Sequence, residues 1–206
     1  MKVLLVNGSP KKDGCICTAL DVIASTLKEY GVESEFFHIG TAPVQGCIAC
    51  GYCKKNRKCV FEGDVGEELV EKMAAADGIV IGSPVYYSGA NGSLCAILDR
   101  AFYSAAARFK FKPAAAIVNC RRGGASAAFD RLNKYFTISQ MPVVSSTYWN
   151  ATHGFTPEDV KKDIEGIQVM QAIGRNMAWL LKLIENGEAP PKSDTKRVFT
   201  SFSDGK

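Results

Sequence analysis

The feature that most restricts the fold of this chain is a repeated change of hydrophobic period. Five short, nearly continuous apolar runs alternate with longer stretches of helical spacing. KVLLVNG (2–8) reads as a buried strand and TALDVIASTLKEYG (18–31) as an amphipathic helix closed by Gly31. ESEFFHIG (33–40) is a second strand, and VGEELVEKMAAAD (65–77) a helix with Asp64 as its N-cap. GIVIGSP (78–84) is a third strand, followed by a helix from Asn91 to Ala106. PAAAIVNC (113–120) is a fourth, followed by a helix over 124–138. MPVVSSTYW (141–149) is expected as the fifth strand, before a helical stretch over 157–186 that ends at Asn186–Gly187.

Strands separated by helices run parallel, because a hairpin joins only antiparallel neighbours. Five such units in 206 residues fit an open, doubly wound α/β sheet with helices on both faces. An eight-fold barrel needs about 250 residues. Residues 1–186 are expected to form one domain. Residues 187–206, with Pro190–Pro191 and scattered Ser, Thr and Lys, read as a C-terminal tail.

Composition removes several functional classes. The net charge is only +4 and dispersed, which argues against a nucleic-acid partner. No run approaches the ~20 apolar residues of a membrane span. The four apolar residues Val3 to Val6 are too few for a signal-peptide core, so a cytoplasmic protein is expected. In a reducing compartment the eight cysteines point to a metal, a cluster or redox work rather than to a disulfide framework.

Ligands of open parallel sheets bind beyond the carboxyl ends of the strands, where the strand order switches. The loops after strands 1, 3 and 4 are therefore the candidates. NGSPKKDGCICTAL (7–20) brackets a polar turn between Gly8 and Gly14 and feeds directly into a helix. Backbone N–H groups of Cys15, Ile16 and Cys17, the hydroxyls of Ser9 and Thr18 and the charge of Lys11 suit a phosphate. The loop is neither G-x-x-x-x-G-K-[ST] nor G-x-G-x-x-G, so a mononucleotide is favoured over ATP or a pyrophosphate. An ordinary strand-to-helix turn with solvated lysines is the alternative. In the second loop Pro84 and Gly89 force an irregular turn that carries Val85, Tyr86 and Tyr87, and the tyrosines suit a flat heteroaromatic ring or the covering of a sheet end. In the third, Arg121, Arg122, Gly123 and Gly124 let a guanidinium and backbone N–H groups approach a polar ring edge; a basic surface turn is the plainer reading. One phosphate pocket, one aromatic wall and one donor-rich edge describe an FMN site.

GSPKKDG, GSPVYYSGANGSLCAILDR and RRGG, in that order, resemble the NADPH-dependent FMN reductase-like branch of the flavodoxin-like superfold. The resemblance runs over about residues 1–186. It implies a five-stranded parallel sheet of order 2-1-3-4-5, FMN at the strand ends and NAD(P)H as donor. It also implies homodimers, or dimers of dimers, whose partner completes the flavin pocket. Where many relatives carry an arginine and an Asn-Thr or Ser-rich run, this chain has Lys11 and Cys15-Ile16-Cys17-Thr18. That departure leaves backbone contacts to phosphate intact and changes the side-chain ones. YWNATHG (148–154) is also similar to this branch. His153 could there neighbour flavin or substrate and donate a proton, although a lone histidine is more often structural. His38, inside strand 2, is expected to be structural.

GCIACGYCKKNRKC (46–59) sets Cys47, Cys50, Cys53 and Cys59 at C-x2-C-x2-C-x5-C spacing. This resembles the compact cysteine motif of iron–sulfur flavoproteins. It implies a [4Fe–4S] cluster on those four thiolates, on the same rim as the flavin or reaching the partner's flavin. A zinc site, a redox-active dithiol such as Cys47/Cys50 and cysteines retained without a cluster stay open. Cys95 and Cys120 read as buried core. The expected activity is that of an FMN-dependent NAD(P)H oxidoreductase. Its acceptor would be a quinone, a nitro- or azo-aromatic, free flavin or an iron–sulfur partner. A flavin electron carrier acting between proteins is the rival, and an FMN-free binding module a third reading. The positive net charge favours the enzyme, because flavodoxin-like carriers are commonly acidic.

Overall fold

Every expected apolar run except the last becomes a strand of one sheet. The computed structural model describes residues 1–191; the greater part of the expected tail, from 192 on, lies outside the described residues. The chain runs β1 (Lys2–Asn7), α1 (Cys15–Glu29), β2 (Glu33–His38), α2 (Tyr52–Asn56), α3 (Val65–Ala75), β3 (Gly78–Tyr86), β4 (Gly89–Ala90) and α4 (Gly92–Ala105). It continues through β5 (Ala114–Cys120), α5 (Ala125–Ile138), β6 (Ala151–His153), α6 (Pro157–Lys162) and α7 (Ile164–Asn186). The parallel strands lie in the order β2-β1-β3-β5-β6, and β4 pairs antiparallel with the end of β3. Counting only the parallel strands, this is the expected order 2-1-3-4-5.

Alternation within β1 builds two cores. Leu4 and Val6 face a cluster with Leu69 and Met73 of α3, Ile97 and Leu98 of α4 and Phe136 of α5. Val3 and Leu5 face Leu20 and Ile23 of α1 and Met170 and Ile173 of α7. A central parallel strand covered on both faces has to read as a continuous apolar run, which is why β1, β3 and β5 were legible. Among the described residues no helix is long and apolar enough to cross a membrane.

Four expectations are corrected. Residues 141–149 do not form the fifth strand: they contribute one bridge, Val143 opposite Ala114, and the fifth parallel strand is β6, paired with Val118–Cys120. Asn150 explains the displacement. Its buried side-chain amide donates to Ala116 O (3.0 Å) and Val144 O (3.4 Å), replacing strand N–H groups while 145–149 bulge outward. The helical stretch 157–186 is broken at Asp163. That residue closes α6 and also caps α7 by accepting from Gly166 N. The turn at Tyr87 is a two-residue hairpin rather than an irregular loop, with positive φ at both Tyr87 (49°) and Ser88 (60°). Cys95 is half-buried rather than core, whereas Cys120 is buried as expected.

Candidate functional site

Six of the buried polar side chains, Asn7, Ser9, Ser83, Asn91, Asn119 and Thr152, collect where the strands end. Asn7 closes β1, Ser83 lies near the end of β3, Asn91 caps α4, Asn119 is in β5 and Thr152 in β6. Asn7 shapes the first loop: its Oδ1 accepts from Ser9 N (3.0 Å) and its Nδ2 donates to Lys12 O (2.9 Å). Ser9, buried, accepts from Lys11 N through Oγ (3.1 Å), and its carbonyl lies 2.8 Å from His38 Nε2. His38 is therefore structural, as expected, and fastens the loop after β1 to β2. Asn91 joins the next pair of loops, donating to Gly8 O (2.7 Å) while its N–H donates to Ser83 Oγ (2.9 Å). Asn119 Nδ2 donates to Gly154 O (3.0 Å) and its Oδ1 accepts from Thr152 Oγ1 (3.0 Å). None of these asparagines was singled out from sequence as a site residue, although Asn91 was placed at a helix start. The available signal was an apolar run that ends in Asn, as in KVLLVN and AAAIVN.

Each candidate flavin-binding residue can now be placed. Lys11 is exposed; Cys15, Cys17 and Thr18 are half-buried at the start of α1. The side chain of Ile16 is in the core, so only its backbone can face a ligand. The Thr18 hydroxyl donates back to Gly14 O (3.3 Å). No side chain caps α1, and Gly14 stands at its N-cap; α3, α4, α6 and α7 instead start on Asp64, Asn91, Thr156 and Asp163. The first-turn N–H groups of α1 thus have no side-chain cap. Burial pushes the thiols of Cys15 and Cys17 up, the latter further through Asp21 and Asp13. Both stay neutral near pH 7 and set no negative charge against an anion.

Pro84 and Val85 are half-buried, and Tyr86 and Tyr87 stand exposed at the hairpin. Arg121, Arg122 and Gly123 are exposed ahead of α5, which also starts without a side-chain cap, on Gly124 with φ 87°. Gly124 is where the second and third loops meet: a Cβ there would stand 2.7 Å from Ser88 Cα, so only glycine allows the approach. Cys15 Sγ lies 3.9 Å from Gly154 O, bringing the loop after β6 to the start of α1. His153 shares a concavity with Gly123, Gly124, Tyr148 and Trp149. Its N–H donates to Asp163 Oδ2 (2.7 Å) and its ring Nδ1 lies 3.5 Å from the same oxygen.

Cys47, Cys50, Cys53 and Cys59 line one cavity together with Ile48, Val60, Phe61 and, from α4, Arg100, Tyr103 and Ser104. Of the two expected placements, on the flavin rim or reaching the partner's flavin, this location departs from the first and leaves the second standing. The contact is with the second half of α4; Gly92 and Arg100 are eight residues apart, about 12 Å at helical rise. Among the described residues no three His, Cys, Asp or Glu side chains stand in a closed metal-binding arrangement. Arg100 was missed from sequence. Its guanidinium is buried between the cysteine loop and Asp64, and Nε donates to Cys59 Sγ (3.3 Å). The signal was a charged residue at a core position of LCAILDRAF, between Ile97 and Ala101.

The sequence model for NADPH-dependent FMN reductases matches residues 1–156. An iron–sulfur flavoprotein of Methanocaldococcus jannaschii is 32% identical over 193 residues, covering 90% of this chain and 100% of that one. Two solved structures share the fold. A flavoenzyme NAD(P)H:(acceptor) oxidoreductase of Paracoccus denitrificans matches with TM-score 0.63 at 18% identity, covering 88% of this chain and 97% of the other. A WrbA-like flavodoxin of Agrobacterium tumefaciens matches with TM-score 0.61 at 14% identity, covering 88% and 96%.

Proposed function

The chain belongs to the NADPH-dependent FMN reductase family, and from that premise we propose that it is an FMN-dependent oxidoreductase fed by NAD(P)H, whose four clustered cysteines hold a [4Fe–4S] cluster. The observation that carries this reading is the pairing of two features on one helix. The N-cap of α4 ties together the loops of the flavin rim, and its second half faces the cavity lined by all four thiols. A relative over 90% of the chain being an iron–sulfur flavoprotein supports the cluster.

In this reading the uncapped first turn of α1 would hold the phosphate. The N–H groups of Cys15, Ile16 and Cys17 donate to it, Lys11 balances its charge, and the loop is held in shape beforehand by Asn7 and Ser9. Pro84, Val85, Tyr86 and Tyr87 form the wall of the ring site. Arg121 or Arg122 and the N–H groups of Gly123 and Gly124 face its polar edge and stabilise negative charge there. FMN held there would supply hydride chemistry with a nicotinamide and release of the electrons singly. His153, whose ring Nδ1 faces Asp163 Oδ2 and which shares a concavity with Gly123 and Gly124, would serve as a proton donor at that edge. The cysteine loop has no regular structure besides α2, so its thiols can be drawn around a cluster without breaking a strand or a long helix.

The cysteine cavity also favours a narrower second reading, in which the final acceptor is a one-electron redox protein rather than a quinone or nitro-aromatic. An anaerobic UV–visible spectrum with flavin, iron and sulfide analysis tests both cofactors together. Flavin absorbance with about four irons per chain is expected. Colourless protein would overturn the whole reading, and yellow, iron-free protein the cluster alone. NAD(P)H oxidation assayed with a small aromatic acceptor and with a one-electron protein acceptor then separates the two kinds of partner.

A further inference from the structure

Among the described residues Arg100 is the only charged side chain that is buried, at 3% exposed, and all five of its N–H groups are used. One terminal nitrogen donates to Gln45 O (3.2 Å) and Asp64 Oδ2, the other to Phe61 O (3.2 Å) and Asp64 Oδ1 (3.0 Å). The guanidinium also lies over the Phe61 ring, 5.0 Å from its centroid. Those four bonds account for the anchoring of the loop from Gln45 to Asp64. The fifth is different: Nε–H points at the sulfur of Cys59 (3.3 Å). A neutral thiol is a weak acceptor and returns little for a desolvated cation, whereas a sulfur bearing negative charge makes the bond charge-assisted.

We infer that Arg100 tunes the iron–sulfur centre through Cys59, its Nε–H bond and buried charge making the cluster easier to reduce. This rests on the assignment of the four cysteines made above. Cluster potentials respond to net charge, to hydrogen bonds on the sulfurs and to solvent exposure, and Arg100 supplies the first two while helping to close the cavity. Asp64 neutralises the guanidinium only from the opposite side of its fork. The reduced cluster gains one negative charge, so a fixed cation and an N–H donor at a ligand sulfur favour it over the oxidised form.

The test is an EPR-monitored redox titration of the anaerobically purified wild type and of Arg100→Lys, with iron, sulfide and flavin quantified in each. Lysine keeps a charge opposite Asp64 and loses the N–H aimed at Cys59. A tenfold or larger loss in the equilibrium for cluster reduction is expected, about 59 mV for a one-electron couple. An iron-loaded variant with an unchanged potential overturns the inference. Should the variant not fold, the wild type alone decides: pulsed EPR of the reduced cluster in protein grown with 15N-arginine should show a coupled nitrogen that changes isotope. Absence of that coupling in an iron-loaded wild type overturns the role of Arg100 and leaves the cluster assignment standing. An iron-free wild type overturns the assignment itself, and this inference with it.

Discussion

Asp64 serves two elements at once. It caps α3 through Gly66 N and Glu67 N and accepts the fork of Arg100. Burial works against its charge, but the Arg100 guanidinium and the N–H groups of Glu67 and Gly66 outweigh burial and hold the carboxyl below its ordinary value. A carboxyl depressed in the folded state adds stability above its unfolded pKa, about 3.9, and loses it as pH falls through the lower folded value. Asp64→Asn keeps a capping oxygen but leaves Arg100 as a buried charge without its partner. Urea denaturation at pH 7 should show a loss of about 3 kcal/mol, toward the low end for a broken buried pair because Asp64 is one-third exposed. The gap to wild type should narrow as the pH is lowered past the unfolded value and close once it passes the lower folded one, because protonation then removes the same charge from wild type. A gap that stays constant from pH 7 to pH 2 would contradict the pairing. At this scale the cap was legible in the sequence and its partner was not. A cap is a local pattern, whereas Arg100 meets Asp64 across 36 positions of sequence.

Elements were legible where burial enforces a period and illegible where a side chain stands in for the backbone. β1, β3 and β5 are covered on both faces, so their apolar runs admit no other reading. The fifth strand was misplaced because Asn150 supplies hydrogen bonds that a strand through 145–149 would have supplied, a substitution no periodicity reveals. The uncapped start of α1 shows the same dependence in reverse. Gly14 forgoes a stabilising cap, which is intelligible if an anion completes the turn. Gly14→Asp should then separate folding from binding. Its backbone is extended, with φ −99°, and the new Cβ meets Lys11 alone, its Cβ at 3.0 Å and its carbonyl oxygen at 3.5 Å, so a shift of a few tenths of an ångström in Lys11 accommodates it. A capping aspartate should leave the apoprotein as stable as wild type or up to about 1 kcal/mol more so. A carboxylate roughly 4 Å from a phosphate at a partly screened site costs about 4 kcal/mol. Flavin affinity should therefore fall on the order of a hundredfold or more, read by fluorescence titration of the apoprotein with FMN. Unchanged affinity would remove the phosphate from α1.

At the scale of the whole molecule the sheet brings the strand-end loops and the four clustered cysteines to opposite halves of one helix, α4, and this part of the design was only half visible beforehand. The three loops could be assigned to one rim because parallel strands all end on the same side. The cysteine loop, from Ile39 to Asp64, has little periodicity to fix its path, and it runs down α4 instead of staying at the rim. That separation makes the two centres independently removable. Cys50 is exposed, lines the cysteine cavity and touches none of the rim bonds described above. Cys50→Ser, purified anaerobically, should lose the iron and the broad brown absorbance of a cysteine-ligated cluster while keeping wild-type flavin content. With NAD(P)H as donor it should still reduce a small aromatic acceptor, since donor and acceptor both meet the flavin at the rim. Reduction of a one-electron protein acceptor should drop at least tenfold if electrons leave through the cluster. Equal losses with both acceptors would mean that the cysteine loop supports the flavin site itself. Undiminished rates with both would leave the cluster without a part in turnover.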